Sequence, residues 1–311
     1  MEAVLNIEDL NVDFLIQGHE YPAVEHLSLY VNKNETIGIV GESGSGKSLT
    51  AKTILGILPR NAISHYQALE YKGQAIDFDN QTSMQNLRGN EISMIFQDPL
   101  SSLNPLLKVG KQVEEVLAIH KDYHSEQRRK MVFDLFEQVG FNDPEKIYHS
   151  YPHELSGGMR QRVVICMAII ANPGLIIADE PTTALDTTIQ KQILDILHHL
   201  TKQKGNALML ISHDWGVIAN MTDRVYVMYA GRVVETGPTK EVIENPQHAY
   251  TQGLLNAIPS LLNKGKKLYS IPFRVPSINE REKGQWPYIK LTQENKDEVE
   301  AMFPEVRSWS V

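Results

Sequence analysis

The chain has 311 residues, of which 42% are hydrophobic and 22% charged, the balance of a soluble globular protein long enough for one large α/β domain with an appendage. Thirty basic against 38 acidic residues give a formal net charge of −8, which argues against a nucleic-acid-binding surface. The lone Cys166 excludes an internal disulfide, and no window approaches the ~18 uninterrupted apolar residues of a membrane span.

Residues Leu5 to Val31 alternate apolar and polar positions around Gly18 and Pro22, which predicts strand, turn and strand. Glu2, Glu8 and Asp9 interrupt any apolar leader there, so no signal peptide is expected. Thr36 to Val40 suits a buried strand, and Lys47 to Leu58 predicts a helix closed by Pro59. Between them Gly41-Glu42-Ser43-Gly44-Ser45-Gly46-Lys47-Ser48 fits the phosphate-binding P-loop pattern. Its glycines let the backbone curl so that N–H groups converge on one anion, and the helix adds its positive N-terminal end. Lys47 supplies a mobile charge for β- and γ-phosphates, and Ser48 a hydroxyl for Mg²⁺. By itself this loop admits kinases, GTPases, motors and many ATPases.

Glu91 to Phe96 is the next strand, followed by Gln97, which in isolation is more often a surface residue than a ligand. Asp98 to Pro105 is rich in turn formers, and helical spacing from Val109 to Val139 predicts a helical insert over about 98–160. Gln127-Arg128-Arg129-Lys130 within it reads as a solvated helix face. Gln161 to Ala171 predicts a helix in which Cys166 is a buried core residue. Leu175 to Ala178 is a buried strand ending in Asp179 and Glu180. Those two acids are either a solvated strand end or, beside a P-loop, an Mg²⁺ ligand (Asp179) and a base that polarises the attacking water (Glu180). Ile189 to Leu200 predicts a helix and Ala207 to Ile211 a strand, after which His213 stands where a γ-phosphate contact can form. Val225 to Tyr229 and Gly231 to Glu235 predict a hairpin. Residues 259–311 turn to Pro, Lys and Glu without apolar periodicity and predict a small, loosely packed extension to a domain of residues 1–258. The alternation implies a mainly parallel sheet with covered faces; with the P-loop, the expected fold class is an α/β P-loop NTPase core with an antiparallel β subdomain and a helical subdomain insert.

Leu155-Ser156-Gly157-Gly158-Met159-Arg160-Gln161-Arg162 narrows this, because it resembles the signature of ABC ATPases. The resemblance implies that Ser156, Gly157 and Gly158 form a second anion site for ATP bound by another ATPase subunit, closed head to tail. It also implies a role for Gln97 as the loop glutamine that joins Mg²⁺ and the nucleotide to the transmembrane partner. Ala184-Leu185-Asp186 matches the dimer-seam loop with Asp186 as its acid, and His213 matches the switch histidine. Phe14, placed after the first strand, is the expected adenine-stacking aromatic, Tyr21 the alternative, and strand packing the plainer reading of both.

A narrower resemblance, to the oligopeptide/dipeptide/nickel importer ATPases, rests on Phe96-Gln97-Asp98-Pro99, Ser101-Ser102-Leu103-Asn104-Pro105 and Tyr151-Pro152-His153-Glu154. Asn245-Pro246-Gln247-His248-Ala249-Tyr250-Thr251 and Ile258-Pro259 extend it, and Met159 favours the first of the two paired ATPase subunits. The resemblance implies ATP and Mg²⁺ as cofactors, a second ATPase subunit (a paralogue or a second copy), two permease subunits, an external solute-binding protein, and a peripheral place on the cytoplasmic membrane face. Many members hold an iron–sulfur cluster on cysteines of the C-terminal extension; this extension, including Ile271 to Ser277, has none, so no such cluster is expected. A nickel or metal-chelate cargo, a soluble ABC-type ATPase uncoupled from transport, and a non-hydrolysing scaffold are the rival readings.

Overall fold

The computed structural model describes residues 2–183, 185–258, 275–289 and 296–304. In chain order the elements are β1 (Ala3–Ile16), β2 (His19–Asn32), β3 (Thr36–Val40), α1 (Lys47–Ile54), β4 (Ala62–His65), β5 (Ala68–Tyr71), β6 (Gln74–Ala75), α2 (Gln81–Leu87) and β7 (Ile92–Ile95). Then follow α3 (Pro99–Ser102), α4 (Val109–His120), α5 (Ser125–Gln138), α6 (Pro144–His149), α7 (Gly157–Ile169), β8 (Leu175–Asp179), α8 (Thr187–Lys204) and β9 (Ala207–Ile211). The chain ends with α9 (Trp215–Met221), β10 (Arg224–Tyr229), β11 (Arg232–Pro238), α10 (Thr239–Glu244), α11 (Ala249–Asn256) and α12 (Lys296–Met302). Two compact units divide it: Met1–Val4, Val31–Thr36 and Lys72–Leu210 form one, and Leu5–Tyr30, Ile37–Tyr71 and Ile211–Val311 the other.

In the first unit the strands run in the order β9, β8, β7, with β7 and β8 parallel from Ile92 opposite Leu175 to Ile95 opposite Ala178. Every residue of β8 and β9 is buried, as unbroken apolar runs require of strands covered on both faces. The helical insert folds as α4, α5 and α6 around Val113, Leu117, Val132, Leu135, Phe136 and Tyr148, all nearly inaccessible. The turn-rich stretch after Gln97 contains one helical turn, α3, started by Asp98, whose carboxylate accepts from the Leu100 N–H at 2.9 Å.

In the second unit β3 lies parallel to β10, and β10 turns back antiparallel into β11 with a bulge between Val227 and Met228. An antiparallel group supplies the predicted β subdomain: β1 pairs with β4 and β5, and β2 flanks β1 on its other side. The core here joins Val40, Val225, Val227 and Tyr229 to Tyr250, Ile289, Val299, Met302 and Phe303. The described part of the C-terminal extension is therefore packed, not loose. Its apolar residues are too widely spaced to show a period, yet Phe303 is fully buried with its ring centroid 4.8 Å from that of Tyr229.

Two further expectations need correction. Helix α1 ends at Ile54 rather than Leu58, with Gly56 following at φ +61°. Helix α7 begins at Gly157 rather than Gln161, because Ser156 caps it. Ala184 and residues 259–274, which carry parts of three quoted segments, lie outside the described residues. Cys166 is completely buried and burial pushes its thiol up, so it is a core residue as expected. Among the described residues no helix is long and apolar enough to cross a membrane.

Candidate nucleotide site

The second unit carries the P-loop between β3 and α1. Gly41 sits where a Cβ would come within 2.2 Å of the Met228 carbonyl oxygen, so the loop can leave β3 only through glycine. Gly44 and Gly46 both take positive φ, 82° and 100°, which produces the curl the motif predicts. The Ser45 N–H donates to the Glu42 carbonyl at 3.2 Å, the Gly231 N–H donates to the Ser45 carbonyl at 3.0 Å, and Ser45 itself is fully buried. Lys47 is 6% exposed, and its ammonium donates to the carbonyls of Gly41 (2.8 Å) and Glu42 (2.9 Å). A cation is thus held at the mouth of the loop where a phosphate charge would be met.

Glu42 is tied from another direction, accepting from the Tyr250 hydroxyl at 3.2 Å. Burial pushes the Glu42 carboxyl up; the Tyr250 hydrogen bond and the Lys47 charge oppose that without reversing it. A cavity of about 460 Å³ opens beside the loop, lined by Lys47 and Ser48 of the loop, by the apolar Phe14, Val275 and Ile278, and by the polar Arg281 among others. That is the size range of small-molecule sites, about 300–1,000 Å³. Phe14 lies within β1, opposite Ala62 of β4, rather than after the strand, and its half-buried ring lines this cavity; Tyr21 does not. His213, on the turn between β9 and α9, lines a smaller pocket with Gly41 and Glu42. Asp214 caps α9 by accepting from the Gly216 N–H at 2.7 Å, which fixes the turn that displays His213.

The first unit carries the remaining candidates. Asp179 closes β8 and is 5% exposed. Glu180 follows at φ +47°, a conformation unfavourable for a side chain of its size, and its carboxylate is held by two donors. Gln97 Nε2 donates to its Oε2 at 3.2 Å, and the Thr183 hydroxyl donates to the same oxygen at 2.9 Å. The Ser156 hydroxyl accepts from the Met159 N–H at 3.3 Å at the N-terminus of α7, and Gly157 and Gly158 form its first turn against α8. Asp186 caps α8, accepting from the Ile189 N–H at 3.0 Å, so its acid has a local structural duty.

Sequence reasoning missed three contacts. Thr183 holds Glu180, Tyr250 holds Glu42, and Arg281 donates to the Gly44 carbonyl at 2.7 Å. Only the first had a visible signal, a hydroxyl residue three positions after an acid that leaves its strand; the others join residues more than 200 apart. Among the described residues no group of three His, Cys, Asp or Glu side chains could hold a metal. Mg²⁺ needs none, since it is commonly bound by one or two protein oxygens, substrate phosphates and waters; each unit offers an oxygen of that kind, the hydroxyl of Ser48 in the second and the carboxylate of Asp179 in the first.

Similarity to known proteins agrees with this geometry. Residues 24–183 match the ABC transporter family model, and residues 234–288 match that of the oligopeptide/dipeptide transporter C-terminal region. The chain is 47% identical over 284 residues to the oligopeptide transport ATP-binding protein OppD of Bacillus subtilis, covering 90% of this chain and 79% of that protein. It is 44% identical over 282 residues to the dipeptide transport ATP-binding protein DppD of Escherichia coli, covering 91% and 86%. Solved structures that resemble it include the ATP-binding cassette MJ0796 as a post-hydrolysis dimer with ADP and Pi (TM-score 0.64, 25% identity, 76% of this chain and 98% of that one). Another is cbiO1 of Clostridium perfringens, part of the ABC transporter complex cbiONQ (TM-score 0.66, 26% identity, 82% and 96%). The chain belongs to the ABC transporter family, among the ATP-binding proteins that carry an oligopeptide/dipeptide transporter C-terminal region.

Proposed function

We propose that this chain is the ATP-hydrolysing subunit that energises import of oligopeptides or dipeptides. The observation that carries the proposal is similarity over 90% of the chain to a protein named for oligopeptide transport, in a molecule whose P-loop and signature sequences are both intact. The Bacillus subtilis and Escherichia coli relatives are both named for peptides, which favours a peptide cargo over nickel or a metal chelate.

In this reading the N–H groups of Gly41 to Ser48 and the ammonium of Lys47 bind and neutralise the triphosphate. Ser48, Asp179 and Gln97 would hold Mg²⁺, which would supply positive charge to offset that of the phosphates. Glu180 accepts a proton from the attacking water, and His213 senses the γ-phosphate. Phe14 stacks on the base. Ser156, Gly157, Gly158 and Asp186 serve the ATP of a second ATPase subunit, either a paralogue or a second copy. Positioning and electrostatic stabilisation supply most of the rate, as in phosphoryl transfer generally. In the same reading the chain docks on permease subunits at the cytoplasmic membrane face.

The test is Glu180→Gln in the assembled transporter. ATP binding should be retained while turnover falls by about 10²–10⁴, the usual contribution of a general base. Turnover at the wild-type rate would remove Glu180 from that role, and failure of the wild-type chain to bind MgATP would remove the function.

A further inference from the structure

The C-terminal extension reaches the P-loop. Arg281 is 2% exposed, and its guanidinium is spent on backbone carbonyls: Gly44 at 2.7 Å, Pro276 at 3.2 Å and Ala23 at 3.4 Å. Burying a guanidinium is costly, and for packing alone an apolar side chain of similar volume would serve as well. The specific consequence of the arginine is that it clamps one peptide of the P-loop from both sides. The Gly44 carbonyl is held by Arg281, while the N–H of the same peptide, that of Ser45, is held by the Glu42 carbonyl at 3.2 Å. Because the peptide unit is planar, fixing both groups fixes its orientation.

The segment leading to Arg281 also lines the cavity. Val275, Pro276 and Ile278 stand around the same space as Phe14, Lys47 and Ser48. A pocket that joins a phosphate-binding loop to apolar side chains such as Phe14, Pro59, Val275 and Ile278 suits a nucleotide, whose charge the loop can meet and whose heteroaromatic base the apolar groups can meet. The segment is fastened without any cysteine. Lys283 bridges Asp13 (3.0 Å) and Glu20 (2.6 Å), the Tyr288 hydroxyl donates to Glu25, and the Arg232 guanidinium lies 4.7 Å from the Trp286 ring centroid.

We propose that Val275–Arg281 is a functional wall of the nucleotide site, in which Val275 and Ile278 meet the base and sugar of a purine nucleotide and Arg281 positions the P-loop through Gly44. This rests on the ATPase reading above and adds to it a source of affinity outside the P-loop and signature motifs. It also assigns the extension a task that needs no metal cluster.

Two ligands separate the two halves of the proposal in the full-length chain: MgATP, which has a base, and Mg-tripolyphosphate, which does not. Ile278→Ala should weaken MgATP about fivefold, as expected for losing a few methylene contacts, and leave tripolyphosphate unchanged. Arg281→Gln should weaken both ligands alike, and Arg281→Lys, which keeps a donor for Gly44, should restore part of the loss. Equal affinities in wild type and Ile278→Ala, or tighter MgATP binding on truncation of Ile278, would overturn the wall, the latter by making the segment a plug. Should Arg281→Gln fail to fold, Arg281→Met, which keeps the bulk and removes every donor, decides in its place: wild-type tripolyphosphate affinity in a folded Met variant would overturn the positioning role. Wild-type protein that binds neither ligand would defeat the ATPase reading itself, whereas wild-type binding with unaltered variants would defeat the wall only.

Discussion

Thr183 and Gln97 donate to the same carboxylate oxygen of Glu180, Thr183 at 2.9 Å and Gln97 at 3.2 Å. The carboxylate that we propose as the general base is thereby held in one rotamer, with Thr183 only three residues away on the turn that follows β8. Replacing Thr183 by Val keeps the shape and removes the donor. Hydrogen bonds to charged groups are worth about 1.5–3 kcal/mol when buried, and Thr183 is half-buried, so kcat for ATP should fall about tenfold with KM unchanged. Steady-state ATPase measurements on the assembled transporter check this. A kcat within error of wild type would show that Gln97 and the backbone suffice to place Glu180.

Gly158 is set by packing. A Cβ there would lie 2.6 Å from Cγ2 of Ile189 on α8, closer than side chains tolerate. Alanine is the better helix former by about 1 kcal/mol, but overpacking costs about 1–3 kcal/mol, so Gly158→Ala should be destabilising on balance. In an Ile189→Ala background the obstructing methyl is gone, and the same change should become neutral or stabilising. Denaturant unfolding of the four proteins of this cycle measures the coupling. Additive effects would mean that α7 and α8 shift apart without strain.

The P-loop, the signature and the acidic pair were legible in the sequence because each is a contiguous run whose chemistry depends on neighbouring residues. Strands β3, β8 and β9 were legible for the same reason, since a strand covered on both faces is an unbroken apolar run. Strands β4 and β5 were not, because Ala62–His65 and Ala68–Tyr71 are short and acquire their strand character from pairing with β1. Arg281 was illegible as well. An arginine 237 positions beyond Gly44 looks like any surface charge until the fold buries it. The extension looked loose for a related reason: its apolar residues are scattered in sequence and gathered only around Tyr229 and Phe303.

The helical insert contains a buried charge whose titration is open to test. Glu114 is 5% exposed, accepts from the Tyr148 hydroxyl and from Lys111 Nζ at 2.9 Å, and lies 3.5 Å from Arg128 Nε. Burial pushes its carboxyl up, but the hydrogen bonds from Tyr148 and Lys111 and the charges of Lys111 and Arg128 together outweigh that and hold it below the usual range. A carboxyl lowered in the folded state contributes stability that is present above its unfolded value, about pH 4.3, and lost as pH falls through the lower folded value. Tyr148→Phe removes one donor from a buried carboxylate and should cost about 1–3 kcal/mol near neutral pH. Because that donor favours the ionised form, the gap between wild type and variant should narrow once acid protonates Glu114. Urea unfolding midpoints of both proteins, measured from neutral pH down to the acid limit of folding, check the sign. A gap constant with pH would show that the Tyr148 hydroxyl acts through packing rather than through the charge of Glu114.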